Sequence, residues 1–486
     1  MATSAALEKR AGLAYWMEEV LVQCGKAEHD FSADPVHDLR TALRRCRSMA
    51  EGIRVFDCDS AWKKMRRAGK QLFSSLGDLR DTHIMIDWVQ KLAPDGDAAS
   101  TKLTKFLLAQ QRELKENAAA VLEHFDRRLW KNWASKLPAR ANRIPLDSPV
   151  LAHLALERWI VAHTLHVQAL RNRTNVAFHE LRIGIKRFRY TLENFLPSLY
   201  ERWGKDLKNL QDLLGDVHDL DVLWQTAIRL NVFSDASERR AWRERIEQER
   251  HQRLSTYRAK MVGKNSLWSN WRAGLPADSE LPVLGLERLR IWASFLDPRT
   301  SHARHVSRLT LQLYDELPAK GLLRSTQRDS YRLVLHASAL LHEVGRAKAN
   351  SGHHKISARL VRKLIPPLGW NKSELELVAA IIRYHRGALP QNTQKRFATL
   401  SNARQRLVQL LGGILRLACA CDWQQDGKIS RVSVESLDPV ITVRAEGYVE
   451  STPLADHIAA ARHLLELTYG RPVFVVANDK PQAQAA

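Results

Sequence analysis

Two stretches of this chain repeat the same order of histidine, acid and basic residues, which is a combination suited to binding phosphate. The first stretch, residues 36–47, reads VHDLRTALRRCR, and the second, residues 178–189, reads FHELRIGIKRFR and follows at an offset of 142 residues. Arginine pairs with phosphate oxygens through two parallel hydrogen bonds, while lysine acts as a mobile point charge. Two such faces in one fold can enclose a polyanion.

Helical periodicity places the polar residues of each stretch on one face. At about 100° per residue, the histidine and three basic residues of each copy fall within roughly 80° of one another, with apolar residues opposite. The two stripes are His37, Arg40, Arg44 and Arg47 in the first copy, and His179, Arg182, Lys186 and Arg189 in the second. One isolated basic stripe is usually a solvated helix face. The duplication, with the histidine kept in register, favours a binding surface instead.

A second pair of motifs follows the stripes. Residues 76–81 read LGDLRD and residues 214–219 read LGDVHD, at an offset of 138 residues. With this offset, two further basic residues of each copy align, and their spacing of three residues puts them on one helix face. The aligned pairs are Arg67 with Lys205 and Lys70 with Lys208.

The doubled H-[DE]-L-R-x-x-[LI]-[RK]-R-x-R helix, with its later L-G-D-[LV]-[RH]-D motif, resembles the CHAD domain over roughly residues 5–275. This resemblance implies two packed helical bundles around a basic channel that binds inorganic polyphosphate. Carried over position by position, it implies the following phosphate ligands: His37, Arg40, Arg44, Arg47, Arg67, Lys70, His179, Arg182, Lys186, Arg189, Lys205 and Lys208.

The composition agrees with an anionic partner. The chain has 486 residues and a formal net charge of +22, which predicts attraction to nucleic acid, anionic membrane or polyphosphate. No apolar run is long enough to span a bilayer, and the N-terminus lacks a signal-peptide core. Five cysteines give no disulfide framework, so we expect a reducing cytoplasm. If the chain binds polyphosphate, polyphosphate granules are one expected location. We read Cys419 and Cys421 as packing residues.

A change of composition near residues 274–282 predicts a boundary between two domains. We expect a CHAD-like domain over residues 5–275, a linker over 276–284 and a second domain over 285–475. The fold class is mainly α, with a short β element near the C-terminus. Alternating apolar residues at 440–443 and 473–476 predict its strands.

The second domain carries a different set of reactive residues. LLHEVG at residues 340–345, with a histidine far before it and an aspartate far after it, is the layout of a carboxylate–histidine site for a divalent metal. The predicted ligands are His302, His342, Glu343 and Asp422. Together with SGHHK at 351–355 and RYHR at 383–386, this pattern resembles the HD-type helical domain at the C-terminal end of the exopolyphosphatase/guanosine-pentaphosphatase family, over roughly residues 285–475.

Two departures from that resemblance bear on catalysis. The resemblance leads us to expect an aspartate after the histidine, where this chain has Glu343, and nothing here resembles the actin-like domain in which those phosphatases do their chemistry. Three interpretations therefore stay open. The site holds a divalent metal, or His342, His354 and His385 are buried structural histidines, or an anion site without metal is formed. The residues of that anion site are His353, His354, Lys355, Arg383 and Arg386.

The sequence favours a non-catalytic protein that binds inorganic polyphosphate, with the second domain as an accessory. The alternative is a metal-dependent phosphohydrolase acting on polyphosphate or on nucleotide polyphosphates. Nucleic acid is expected to bind only non-specifically, because aromatic residues are not interleaved with the basic residues as base-stacking platforms. No membrane partner is expected, and no cofactor is assigned beyond the divalent metal considered above.

Overall fold

The computed structural model describes residues 12–29, 31–297, 299–317, 327–437, 439–450 and 452–478. The chain divides into two compact units, with the boundary between Ala277 and Asp278. Helices dominate both units, and the described residues contain one small sheet near the C-terminus, which confirms the predicted fold class. No helix among the described residues is long and apolar enough to cross a membrane.

The described residues of the first unit form ten helices. They are α1 (Leu13–His29), α2 (Ala33–Ile53), α3 (Ser60–Leu92), α4 (Ala98–Glu123), α5 (Arg127–Ala141), α6 (Pro149–Asn172), α7 (Asn175–Phe195), α8 (Pro197–Arg229), α9 (Ala236–Met261) and α10 (Leu267–Ala273).

The repeated motifs lie on two matching helix pairs. The stripes are on α2 and α7, and the Leu-Gly-Asp motifs are on α3 and α8, each of which has 33 residues. Capping side chains define where two of these helices begin. Asp59 accepts a hydrogen bond from the Ala61 amide at 2.8 Å, and Thr174 accepts one from the Ala177 amide at 3.2 Å. Because α2 packs against α7 and α3 packs against α8, the two repeats meet face to face.

The described residues of the second unit form a helical layer and a sheet. The helices are α11 (Leu281–Leu296), α12 (Thr300–Glu316), α13 (Arg328–Leu341), α14 (His353–Arg362), α15 (Lys372–Tyr384), α16 (Lys395–Ala398), α17 (Asn402–Cys421) and α18 (Pro453–Tyr469), with 3-10 turns at Asp278–Glu280 and Val344–Ala347. The strands are β1 (Arg431–Leu437), β2 (Val440–Glu446) and β3 (Val473–Ala477).

The helix α13 lies at the centre of the second unit and packs against α12, α15 and α17. It is apolar on several sides, with Leu335 and Leu341 fully buried. The sheet has the order β1-β2-β3, with β1 antiparallel and β3 parallel to β2. Part of the segment expected as a linker, residues 281–284, forms the first turn of α11.

Candidate functional site

Packing of α2 against α7 brings the basic residues of the two stripes close enough for their charges to act on one another. The pKa of Arg40 is lowered by burial, and the positive charges of Arg44 and Arg182 contribute to this shift. Residues 142 positions apart in the chain therefore share one electrostatic environment. We call Arg40, Arg44, Arg182 and Lys186 the basic cluster.

The pKa of Lys186 is affected by its burial and by the positive charges of the basic cluster. Burial, and then the positive charges of Arg182, Arg40 and Arg44, lower the pKa of Lys186 to about 7. The carboxylate of Asp219 acts in the opposite direction but does not cancel these effects. The cluster therefore holds more positive charge than its own acids neutralise.

Aromatic rings support the arginines of the first stripe. The guanidinium groups of Arg40 and Arg47 lie 4.7 and 4.9 Å from the ring centre of Phe73, and that of Arg44 lies 5.0 Å from the ring of Tyr190. Stacking on a ring orients the planar guanidinium while leaving its edge available to an anion. Neither ring belongs to the repeated motif, so the sequence pattern does not point to them.

Two aspartates that are not among the predicted ligands also act on the basic cluster. Asp81 and Asp219 are the last residues of the two Leu-Gly-Asp motifs. Asp81 counteracts the lowered pKa of Arg40, and burial raises the pKa of Asp219 to about 6, against the effect of Arg182. Their repetition at matching positions is the signal that identifies them.

Arg189 differs from the other stripe residues. It is only 7% exposed, and its guanidinium donates hydrogen bonds to Gln211 at 3.1 Å and to Tyr200 at 3.3 Å. It also pairs with the buried carboxylate of Glu193 at 3.4 Å, which Arg45 contacts at 2.5 Å. Most of the hydrogen-bonding capacity of Arg189 is therefore used inside the protein.

The remaining predicted ligands lie nearer to solvent. Arg67 and Lys70 on α3, and Lys205 and Lys208 on α8, are exposed. His37 is exposed too, whereas His179 is half-buried and lies 4.6 Å from His218, measured between ring centres. Burial lowers the pKa of both His37 and His179, and the neighbouring arginines add to the effect.

In the second unit, six reactive side chains lie near one another, mostly at helix ends. We call them the histidine cluster: His302, His342, Glu343, His353, His385 and Asp422. His302 is on α12, His342 and Glu343 follow the end of α13, His353 begins α14, and His385 and Asp422 directly follow α15 and α17. Ligand atoms of His302, His342 and Glu343 lie within 4.8 Å of one another, and so do those of Glu343, His353 and His385.

Three histidines of the cluster are fixed in one tautomer. The Nδ1 atoms of His342, His353 and His385 lie 2.6, 3.0 and 2.7 Å from the backbone carbonyls of Ala339, Asn350 and Ile382. Because a carbonyl only accepts hydrogen bonds, each Nδ1 must donate, which leaves Nε2 with a lone pair in the neutral ring. Burial lowers the pKa of all three and brings that of His342 to about 3, so the neutral form is favoured.

The free lone pairs face a carboxylate. Nε2 of His342 and of His353 are buried without a hydrogen bond from any described residue, and Nε2 of His353 lies 3.0 Å from Oε1 of Glu343. Two acceptors at this distance repel each other unless a cation or a proton lies between them. The donor set of imidazole nitrogens and carboxylate suits a divalent transition metal. Arg346 also pairs with Glu343 and competes for its charge.

Of the four predicted metal ligands, His302, His342 and Glu343 offer ligand atoms close to one another, whereas Asp422 contacts His302. Asp422 accepts a hydrogen bond from Nδ1 of His302 at 2.6 Å and another from the Gly427 amide at 2.9 Å, so it orients His302. His353 and His385, which the sequence analysis did not assign to the metal, belong to the same group. Cys419, read as a packing residue, lies beside His342 and His385, and burial raises the pKa of its thiol.

The glycine of the LLHEVG motif explains how His342 and His353 come together. The amide of Gly345 donates to Oγ of Ser357 at 2.8 Å, and that hydroxyl donates to the carbonyl of His342 at 2.8 Å. A Cβ on Gly345 would lie 2.3 Å from the carbonyl oxygen of His353. Only glycine allows the turn after Glu343 to pack this closely against the start of α14.

Three of the five anion-site residues of the third interpretation line two different cavities. Arg386 lines the cavity of the histidine cluster together with Arg346 and Arg416. Lys355 and Arg383 line a second cavity, whose other basic residues include Arg359 and Arg396. The ring of His354 lies 6.2 Å from that of His385, measured between ring centres. Burial, and then the charge of Arg383, lower the pKa of His354 to about 4.

Short segments of curated proteins resemble parts of this chain. Bifunctional uridylyltransferase/uridylyl-removing enzymes of Nitrobacter winogradskyi and Ruegeria pomeroyi are 40% identical over 72 residues and 35% identical over 75 residues. Each match covers 15% of this chain and 8% of the enzyme. A Bradyrhizobium enzyme of the same name is 36% identical over 91 residues, which are 18% of this chain and 9% of the enzyme. The chain thus spans less than a tenth of the length of these relatives.

Two domain families match the chain, one in each unit. The CHAD domain family matches residues 7–227, and the family described as Ppx/GppA phosphatase, domain III, matches residues 297–456. Both resemblances predicted from the motifs are confirmed, and the two domains together support a function related to polyphosphate. The chain therefore contains a CHAD domain followed by a Ppx/GppA phosphatase domain III.

Proposed function

We propose that this protein binds inorganic polyphosphate through the basic cluster and the exposed basic residues around it. The observation that carries the proposal is the packing of α2 against α7, which brings Arg40, Arg44, Arg182 and Lys186 of the two stripes together. Burial, and then the three arginines, lower the pKa of Lys186. Bringing like charges together in a partly buried place opposes folding unless an anion occupies the site. A linear polyanion suits such a surface because each phosphate carries charge.

The other predicted ligands differ in how much of their charge and hydrogen-bonding capacity is available to the anion. Arg67, Lys70, Lys205 and Lys208 extend the surface toward solvent and supply point charges along the anion, as His37 and His179 do when protonated. Arg47 donates a hydrogen bond to the Arg66 carbonyl at 3.1 Å, which leaves other donors of its guanidinium for phosphate. Arg189 holds α7 against α8 through its internal partners rather than contacting the ligand.

Titration calorimetry with long-chain polyphosphate tests the proposal. The full chain is compared with a variant in which Arg40, Arg44, Arg182 and Lys186 are changed to alanine. We expect tight binding by the parent and at least a hundredfold loss in the variant, because each charge-assisted hydrogen bond contributes about 1.5–3 kcal/mol.

A second variant controls for the loss of net charge. It removes four exposed basic residues of the first unit outside the predicted surface: Lys105, Arg239, Arg240 and Lys264. Its affinity should stay within a fewfold of the parent. If both variants lost the same amount of affinity for polyphosphate, the binding would be non-specific attraction of a polyanion to a basic protein. Circular dichroism confirms that each variant folds.

A second candidate function rests on the histidine cluster. We propose that this cluster holds a divalent metal through His342, His353, His385 and Glu343, with His302 oriented by Asp422. A bound ion would supply Lewis-acid chemistry toward a phosphate ester. The orphaned Nε2 atoms favour this candidate, and so do the names of the curated relatives, which include removal of a uridylyl group.

Metal content and phosphate release test the second candidate. The purified chain is dialysed against manganese or zinc and assayed for bound metal, then for phosphate released from polyphosphate and from nucleoside triphosphates. Stoichiometric metal with release that disappears in His342→Ala would support hydrolysis. Bound metal without release would leave a regulatory or structural ion, and absence of both would make these histidines structural.

A further inference from the structure

The cavity of the histidine cluster has an aromatic rim that phosphate chemistry does not require. The indole of Trp423 stacks on the imidazole of His457, with ring centres 3.9 Å apart and planes inclined by 24°. Trp423 is 42% exposed, and both rings line the cavity together with His302 and Glu343. With one ring face against His457, the exposed surface of the indole is available for a second planar group.

Trp423 lies in a loop that Asp422 of the histidine cluster holds in place, whereas His457 is on α18. Trp423 directly follows Asp422, whose carbonyl accepts a hydrogen bond from the Gln425 amide at 3.0 Å and whose carboxylate accepts one from Gly427. Gln425 has a φ of 60°, a left-handed conformation that is unfavourable for a residue with a Cβ. Its side chain, which offers both a donor and an acceptor, belongs to the same cavity lining.

Three arginines belong to the same cavity lining as this rim and the histidines. Arg346, Arg386 and Arg416 all line the cavity. Arg416 donates to the carbonyl of Gly387 at 2.7 Å, which fixes its position. The cavity thus combines three features: an aromatic platform, an amide able to read a base edge, and cations beside the histidine cluster.

We propose that this cavity binds a nucleoside phosphate, with the base stacked on Trp423 and the phosphate beside Arg346, Arg386 and the histidines. An inorganic phosphate chain has no planar apolar face and would gain nothing from the indole, whereas every nucleobase has one. The proposal rests on the second candidate function and names the substrate class of that site. Under this proposal the two units bind different ligands: polyphosphate in the first unit and a nucleoside phosphate in the second.

Direct binding measurements test this proposal without relying on catalysis. The full chain carrying the four alanine substitutions of the basic cluster is titrated with UMP, AMP and inorganic phosphate by calorimetry. We expect at least one nucleotide to bind about tenfold or more tightly than inorganic phosphate. Trp423→Ala should remove most of this preference, since stacking of one base is worth about tenfold or more, while leaving the affinity for inorganic phosphate unchanged.

Trp423→Phe is the matched control, because phenylalanine keeps a stacking face. It should retain most of the preference for the nucleotide. The proposal is overturned if neither nucleotide binds more tightly than inorganic phosphate, or if Trp423→Ala weakens nucleotide and phosphate equally. The same substitutions in the parent chain should leave long-chain polyphosphate binding unaltered, so failure here is distinguishable from failure of the polyphosphate proposal. Metal content, measured in parallel, reports separately on the second candidate function.

Discussion

The guanidinium group of Arg40 lies directly against Gly77, so that a Cβ on this glycine would be 2.6 Å from Nη1 of the arginine. The second repeat has the same neighbours at a longer distance, because a Cβ on Gly215 would be 3.9 Å from Nε of Arg182. The glycine of each Leu-Gly-Asp motif therefore lies next to the first arginine of the corresponding stripe. This contact links the two motifs that the sequence repeats separately.

Gly77→Ala should displace the Arg40 guanidinium and weaken polyphosphate binding by about tenfold, the loss expected for one charge-assisted hydrogen bond. The melting temperature should stay the same or rise, since the obstructing atom is the end of a flexible side chain and alanine favours a helix by about 0.5–1 kcal/mol over glycine. Thermal unfolding and calorimetry check the two effects. Gly215→Ala is the control and should leave binding nearly unchanged. Equal effects of both substitutions would contradict the role of the close contact.

Polyphosphate affinity should increase as the pH falls from 8 to 6. The pKa of Lys186 is about 7 in the free protein, because burial and the neighbouring arginines disfavour its charged form. A bound anion raises this pKa, so binding above pH 7 must take up a proton and is weaker there. The lowered pKa values of His37 and His179 act in the same direction at lower pH.

Calorimetry at constant ionic strength, in buffers of different ionisation enthalpy, measures both the affinity and the proton uptake. Lys186→Arg serves as the control, since arginine stays charged over this range. It should lose the part of the pH dependence above pH 7. Identical affinities of the parent at pH 6 and pH 8 would rule out this explanation.

Salt should weaken the complex in proportion to the number of basic residues in contact. A polyanion releases condensed counterions when it is neutralised, by analogy with DNA, so the logarithm of affinity falls linearly with the logarithm of salt concentration. Lys205→Ala should reduce the slope by about one unit. The exposed Lys264 lies in the loop after α9 and is the control. A slope that changes equally for both variants would exclude Lys205 from the contact surface.

His385→Ala should lower the affinity for a divalent metal by at least about tenfold, because the side chain offers an Nε2 lone pair to the histidine cluster. Bound metal measured by mass spectrometry after dialysis checks this, and a chelator should lower the melting temperature of the parent by removing a native-state ligand. His336→Ala on α13 is the control, since this histidine lines a different cavity. A parent chain that retains no metal would leave these histidines as buried structural groups.

Arg346→Ala should increase the metal affinity. Arg346 pairs with Glu343 and neutralises the carboxylate that faces the Nε2 atoms of His342 and His353. Without the guanidinium, the carboxylate is free to bind a cation. Arg416→Ala removes a cation from the same cavity without touching that ion pair and serves as the comparison. A decrease in metal affinity in Arg346→Ala would mean that the arginine supports the site.

The sequence by itself determined the helices α2 and α7 and the basic character of their polar faces, a type suited to phosphate. The stripes of α2 and α7 follow from local periodicity, which depends only on the residues of one helix, and duplication marked them as a pair. Periodicity also placed Arg189 with the ligands. In the structure Arg189 is buried against Gln211 and Tyr200, because the packing of α7 on α8 covers that end of the stripe, which periodicity within one helix does not record.

Only the tertiary structure decided which distant residues meet. His353 and His385 join His342 because the ends of three helices converge, and no local pattern records that convergence. The same holds for Arg40 and Lys186, whose charges interact across the contact of α2 with α7. Helical geometry fixes the face on which a side chain lies, whereas the partner of that face depends on how apolar surfaces pack between helices far apart in the chain.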